Sequence, residues 1–334
     1  MMEKYKSMRF IQLLMLMVLA SLGCGHPTDG KANKAETYAV IQEKDLIPDG
    51  TAYDSVTQQV FISSMYKRKI VAIKADGTTY DFIKEAQDSI WGTFGMEVDP
   101  IRRKLWVISS KGEAGIITRI KPPDSSWDTK LYCYNLDSGL LDRYYTVVSS
   151  IINGYCFNDL TVSRNGDVYI TESITNKIFH LRTDKDSIDV FLAPQGYSFL
   201  NGITLSPDEK ILFVSSSEGL LQVDLNTRNY RSVSYAYTID PNPIDGLTYF
   251  RGSLIGHQSK VLTRFYLNES LDSILHHETI DSMGLNSSTT GEIGNDGWYY
   301  YIANSQIRSG VDYANKKIMP WDSLRPVEIR RIRL

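Results

Sequence analysis

FNDLTVSRNGDVYITES (157–173) and LNGITLSPDEKILFVSSS (200–217) decide how this chain folds. Each reads as a turn, an apolar-alternating strand, a polar bend and a second apolar strand, with β-branched and aromatic residues in the strands and Asn, Asp, Gly or Pro at the bend. Four further stretches repeat the pattern: PDGTAYDSVTQQVFISS (48–64), FGMEVDPIRRKLWVISS (94–110), IDGLTYFRGSLIGHQ (244–258) and TGEIGNDGWYYYIANSQ (290–306). The glycines that open them, Gly50, Gly95, Gly202, Gly246 and Gly291, lie 45, 107, 44 and 45 residues apart, and Asp159 divides the long gap into 64 and 43. A period near 44 is the length of one four-stranded propeller blade, typically ~40 to 45 residues. Outer strands follow as well, for example KIVAIKAD then TTYDFIK and NKIFHLRT then DSIDVFLA. No segment has helical spacing of comparable length. The expectation is an all-β, six-bladed β-propeller forming a single domain over residues 37–334. VEIRRIRL from Val327 and TYAVIQEKD from Thr37 together complete the sixth blade. The 21 tyrosines read as filling between sheets.

Upstream of the repeats the chain has a different character. Lys4, Lys6 and Arg9 precede an apolar run from Phe10 to Leu22, the layout of a signal peptide, and its short length argues against a membrane span. The run ends in Ser-Leu-Gly-Cys at 21–24, similar to the lipobox of bacterial lipoproteins, although Ser21 stands where those proteins usually carry Leu, Val or Ile. Residues 1–23 are read as a lipoprotein-type signal peptide with Cys24 as the lipidated residue, and cleavage with release to the periplasm is the competing reading. Residues 24–36, polar and containing Gly and Pro, suit a flexible tether, with His26 a solvated part of it. The expected location is a bacterial membrane, with the body facing the periplasm or the exterior and the lipid as its sole contact with the bilayer. The formal net charge is −3, and removing the leader's +2 leaves about −5, which excludes nucleic acid as a partner; a monomer is expected. Cys133 and Cys156 give no disulfide framework and are read as two buried free thiols.

Propeller geometry places the candidate chemistry. All inner strands run parallel around one channel, so the residues at their starts converge on one mouth. Those starts carry Asp49, Asn158, Asn201 and Asp245. Any one of them is explained as a turn residue, since Asn-Gly and Asp-Gly are turn dipeptides. Four in one register make a set of two carboxylates and two amides, hard oxygen donors of the kind Ca²⁺ prefers. The second strands return to the same face and bring Ser109, Glu172, Ser216, His257 and Asn304 with them. Glu172 and His257 are candidate proton carriers, His257 being more often a structural residue at such a position. His180, His276 and His277 fall in later strands and read as structural or surface residues. Two long connections, 111–130 and 307–326, emerge over the mouth with Arg119, Trp127, Arg308 and Trp321, a mixture suited to a polar cyclic substrate or its carboxylate, or simply to shielding the rim.

At these residues the chain resembles the senescence-marker-protein (regucalcin) and gluconolactonase family of six-bladed propellers, relatives of paraoxonase and diisopropyl fluorophosphatase. The resemblance runs from Leu46 onward and is carried best by FNDLTVSRNGDVYITES, FLNGITLSPDEKILFV and PIDGLTY. It implies a catalytic calcium held by Asn158, Asn201 and Asp245. The family's usual fourth ligand is a glutamate in a Glu-Gly pair, whereas here Asp49 precedes Gly50, one methylene shorter. The expected activity is calcium-dependent hydrolysis of a lactone or related ester, with Asp245 activating water. The alternatives are a tethered propeller that binds a sugar, peptide or partner protein without turnover, and a calcium-stabilised scaffold.

Overall fold

The structure is a computed structural model and describes residues 34–111, 118–119, 128–148, 154–235 and 243–334. Alternation explains its core. In Gln59–Ser64, Val60 and Ile62 point to one side of their sheet and Phe61 to the other, and all three are buried. A strand whose two faces are both covered reads as a nearly continuous apolar run, because each sheet is packed between two others. Val60 and Ile62 join Tyr300, Ile302 and Ile329 in one apolar cluster, while Phe61 joins Met96, Leu105 and Val107 in the next. Six such clusters fill six seams between six radially arranged sheets.

Each sheet is an antiparallel meander from the axis outward. Blade one is Thr51–Asp54, Gln59–Ser64, Lys69–Ile73 and Thr79–Ile83; blade two is Gly92–Asp99, Lys104–Ser110, Asp128–Asn135 and Leu141–Val148. Blade three is Phe157–Val162, Val168–Glu172, Lys177–Arg182 and Ser187–Leu192; blade four is Ile203–Leu205, Ile211–Ser216, Gly219–Asp224 and Tyr230–Ser232. Blade five is Leu247–Phe250, Ser253–His257, Leu262–Leu267 and Ser273–Asp281, with Ser234–Tyr235 added in parallel at its outer edge. Blade six is Gly291–Ile293, Trp298–Ile302, Val327–Arg333 and, outermost, Glu36–Ile41, so strands from both ends of the chain share one sheet. Glu36 pairs with Arg331 and Ile41 with Val327, closing the ring by backbone hydrogen bonds as the sequence predicts. Lys34–Leu334 is one compact unit. Short 3₁₀ turns occur at Lys44–Leu46, Gln87–Ser89 and Trp321–Ser323; among the described residues no helix is long and apolar enough to cross a membrane.

The opening glycines have a steric cause. A Cβ on Gly50 would lie 2.2 Å from the Phe94 carbonyl oxygen, one on Gly202 2.3 Å from that of Asp245, and one on Gly246 2.6 Å from that of Thr289. Each inner strand thus starts with its backbone against the start of the next blade. Asp159 takes this place in blade three, and its carboxylate accepts from Leu160 N at 2.9 Å and reaches Ile203 N of blade four at 3.4 Å. The last junction is made by hydroxyls: Thr289 and Thr290 Oγ1 each donate to the Asp49 carbonyl at 2.7 Å. Gly50→Ala should therefore lower stability by about 2–4 kcal/mol in denaturant unfolding. Gly196→Ala, opposed by no atom within 4 Å and only by its φ of +84°, should cost about 1 kcal/mol.

Candidate functional site

The backbone contacts that close the ring also set the four candidate ligands. The Asp245 amide donates to the His257 carbonyl at 2.7 Å, and the Asp245 carbonyl accepts from Gly202 N at 2.8 Å. The Asn201 amide donates to Ser215 O at 3.0 Å, and its carbonyl accepts from Thr171 Oγ1 at 2.6 Å. Side chains extend the order. Asn158 Nδ2 donates to Ser173 Oγ at 3.0 Å, which donates to Leu200 O at 2.6 Å, and the Asn201 side chain donates to the Asp245 carboxylate. With both amide nitrogens engaged, Asn158 and Asn201 keep their carbonyl oxygens for a cation.

Asp49 and Asp245 meet electrostatically at this mouth. Burial, then the charges of Asp245 and Asp159, push the Asp49 carboxyl well above the usual carboxylate range. Burial lifts Asp245 to about 6, opposed by its bond from Asn201 and by the Arg308 charge. Two carboxylates in one electrostatic field, Asp49 buried and Asp245 half-buried, flanked by amide oxygens, suit a hard divalent cation: its charge removes the repulsion and its preference matches the donors. Among the described residues no group of three or more His, Cys, Asp or Glu has metal-ligand spacing, and the candidate set depends on its two amides.

The second-strand residues have other work. Glu172 is fully buried, and its carboxylate accepts from the backbone amides of Cys156, Ile174 and Thr175 at 3.0, 2.8 and 2.7 Å and from Thr175 Oγ1 at 2.5 Å. His257 is fully buried between Ser288 Oγ and Tyr299 OH, each 2.8 Å from a ring nitrogen, and burial depresses its pKa to about 3. Glu172 therefore staples a turn and His257 stays neutral inside a hydroxyl cradle, so the geometry gives both a structural use in place of the proton-carrier role expected of them. Ser109 accepts from Trp91 N, and Asn304 binds Pro326 O and Glu328 N, again holding turns. Cys133 is buried and Cys156 partly so; both are unpaired, and burial, with Glu172 and Asp49 nearby, raises the Cys156 thiol to about 12.

Of the two long connections, the one in blade six can be followed. Ile307, Val311 and Ile318 pack into the apolar cluster that holds Ile47, Met65, Phe94 and Phe157, so this loop leaves blade six and rests on blades one to three. It carries a short hairpin, Val311–Asp312 with Lys317–Ile318. Arg308 and Tyr313 lie on it within electrostatic reach of Asp245, and Tyr313, missed in the sequence, has its phenol raised to about 12 by burial and by Asp49. Tyr313 OH donates to Ile307 O at 2.8 Å. Trp321 is exposed, with the Lys44 ammonium 5.4 Å from its ring centre, and Arg119 pairs with Glu85 at 3.1 Å above blade one. Trp127 and Cys24 lie outside the described residues.

Further down the channel, Glu97, Asp159 and Glu292 line a cavity of about 130 Å³. Burial raises Asp159 and Glu292 to about 7, and burial and then Glu292 raise Glu97 well above its ordinary value. The sequence signal for this group was a carboxylate within otherwise apolar inner strands, GMEV and GEIG. Because the folded pKa of Glu292 exceeds its unfolded value near 4.5, its favourable contribution is complete below that value and is lost as pH rises through about 7. Glu292→Gln should therefore raise stability at pH 8 by about 1–2 kcal/mol and leave it unchanged near pH 4, read from melting curves at both.

A six-bladed meander propeller with an oxygen-donor mouth at its inner-strand starts is the class that fold and site define. The chain belongs to the SMP-30/gluconolactonase/LRE-like family, whose region matches residues 48–249, a span that contains all four candidate ligands. Solved structures with the same fold include a gluconolactonase from Xanthomonas campestris, at 14% identity and TM-score 0.60, covering 90% of this chain and 89% of that one. They include the calcium-binding protein regucalcin from Agrobacterium tumefaciens, at 13% identity and TM-score 0.58, covering 88% and 94%. A putative oxidoreductase (glucose dehydrogenase) from Thermus thermophilus, at 14% identity and TM-score 0.63, covers 90% and 99%. At these identities the likeness concerns the fold. No curated protein matches the sequence.

Proposed function

We propose that this protein is a divalent-cation-dependent hydrolase of a lactone or related ester, with calcium as the cation, held at a bacterial membrane by a lipid on Cys24. The observation that carries the reading is the mouth itself. Asp49, Asn158, Asn201 and Asp245 start four different inner strands, and the two carboxylates share one electrostatic field, Asp49 buried and Asp245 half-buried. Family membership and the calcium-binding regucalcin neighbour support the same reading. A hard dication at this position supplies charge that polarises an ester carbonyl and offsets the negative charge developing on its oxygen.

The chain's own residues do the rest. Asp245, oriented by the Asn201 amide, accepts the proton of the attacking water at a carboxylate oxygen. Asn158 is fixed through Ser173 to the backbone of blade four, which limits its drift from the axis. The blade-six loop narrows access to water, and Arg308 on it offers a guanidinium for a polar or anionic part of the substrate. With Glu172 and His257 committed to structural bonds, Asp245 has no proton-accepting substitute among them. The second reading is a propeller that binds a sugar, peptide or protein at this mouth without turnover.

Calcium should raise the melting temperature and chelation lower it; an unchanged melting curve would remove the cation site. Asn201→Ala should weaken the cation yet recover activity at raised calcium, whereas Asp245→Asn should lose about 10²–10⁴-fold in kcat without recovery. Asp49→Glu should bind calcium more tightly, with activity equal to or above that of the parent protein. These are read as initial rates on a panel of lactones and esters against calcium concentration. Calcium binding without any hydrolysis, with a sugar or peptide still protecting the mouth, would establish the binding module. Cys24→Ser should leave the protein unprocessed or released from membranes, and equal solubility of both forms would remove the anchor.

A further inference from the structure

The polarity of the ring separates two faces. Inner strands start at the mouth and end at the opposite face, and the meander fixes the direction of every other strand. In blade six, Trp298 pairs with Arg333 beside the Gly294–Gly297 turn, at the end of the channel opposite the mouth. Glu36 pairs with Arg331, and Tyr38 OH donates to Lys74 O in the corresponding turn of blade one at 2.9 Å. The chain therefore enters the propeller at the face away from Asp49 and Asp245. Lys34 comes ten positions after Cys24, a stretch whose reach even fully extended is no more than about 36 Å.

That same face carries three exposed aliphatic side chains on neighbouring bends: Val56 of blade one and Ile101 and Leu140 of blade two, 66%, 64% and 67% exposed. Exposed aliphatics scattered singly are ordinary, but these bends are fastened together by one guanidinium. Arg103, two residues after Ile101, donates to both carboxylate oxygens of Asp54 and, at 2.7 Å, to Asp137. Asp54 in turn accepts from Val56 N at 3.1 Å, and the Leu136 amide donates to Arg103 O at 3.0 Å. The charges of Arg103 and Asp54 are thus spent on one another, and Val56, Ile101 and Leu140 project from the bends beside the exposed polar residues Thr57, Gln58, Arg102 and Asp137. Beside Val56 and Ile101 the channel opens into a cleft of about 390 Å³.

We propose that this face, at the bend tips carrying Val56, Ile101 and Leu140, is the surface that meets the lipid bilayer, and that the mouth with Asp49 and Asp245 points away from it. The occupant is lipid because the tether begins on this face: a bilayer here is met at its start, whereas a bilayer at the mouth would use most of its reach to pass the seven-residue strand Val327–Arg333, roughly 23 Å long. Three aliphatic tips add shallow interfacial contact to the acyl chains on Cys24 and fix an orientation that a flexible tether by itself leaves free. The proposal rests on the lipid at Cys24 and not on catalysis. It has the substrate reach the mouth from the aqueous side.

The test uses the full chain purified with its acyl chains and reconstituted in phosphatidylcholine–phosphatidylglycerol vesicles containing a spin-labelled phosphatidylcholine. In a Cys156→Ser background, Ile101→Cys and Met283→Cys each carry an environment-sensitive fluorophore; Met283 is exposed and follows a blade-five outer strand that runs toward the mouth. The label at 101 should be quenched and blue-shifted, and the label at 283 should be neither. Val56→Asp with Leu140→Asp should abolish quenching at 101 while the protein stays vesicle-bound and melts unchanged, and Val56→Leu with Leu140→Val should retain it. Quenching at 283, or at neither position, in an acylated protein overturns the orientation alone. Absence of acyl chains by mass spectrometry overturns it together with the anchor.

Discussion

The close approach of six inner strands around one axis is the constraint on which the rest of this structure depends. Where each strand begins, backbone lies against backbone, and Gly50, Gly202 and Gly246 are there because a methyl group would overlap a carbonyl of the next blade. That proximity brings side chains from strands far apart in sequence into a single mouth. It also brings carboxylates close enough to repel. Asp49, Asp159 and Asp245 are held by the ring; burial raises all three carboxyls, and the charge of Asp245 adds to that rise at Asp49 and Asp159. A structure that stores such repulsion at one polar point, within six apolar seams, is prepared for a positive charge.

The seams and the mouth impose different demands on the same strands. Alternating side chains of a second strand such as Gln59–Ser64 are divided between two seams, so the strand is apolar on both faces. At the ends near the mouth the composition turns polar, and most of those polar groups serve the turns: Ser109, Glu172, His257 and Asn304 all bind neighbouring backbone or hydroxyls. Sharing a face with the candidate site is therefore weak evidence of taking part in it. What distinguishes the four candidates is that they lie at the starts of inner strands, nearest the axis.

The asymmetry between the two faces follows from the meander. The mouth receives the inner-strand starts and the loop that carries Arg308 and Tyr313, while the opposite face receives the tight bends and the incoming chain. A six-fold repeated fold thus acquires two chemically different faces.

The sequence by itself determined the repeat, the number of blades, the sharing of the sixth blade between both ends of the chain, and the register that puts Asp49, Asn158, Asn201 and Asp245 at equivalent positions. These are legible because β-structure writes itself as alternation and turn residues, which are local, and because repetition at a fixed period shows through divergence in any one copy. Only the tertiary structure decided how the polar groups are used. Glu172 is held mainly by its own turn, at Ile174 and Thr175, with the Cys156 amide joining from the approach to the preceding strand. His257 looked like a proton carrier in one dimension because nothing local records that Ser288 and Tyr299 converge on it from elsewhere in the chain. Tyr313 was invisible for the same reason: a loop without periodicity gives no hint of the blades on which it rests. The channel carboxylates Glu97 and Glu292 sit almost 200 residues apart in sequence, and the charge of Glu292 adds to burial in raising Glu97 because the ring closes. Periodicity is a property of segments, whereas burial and charge coupling are properties of the assembled ring, and it is the latter that select which of the polar residues at the mouth are free to act.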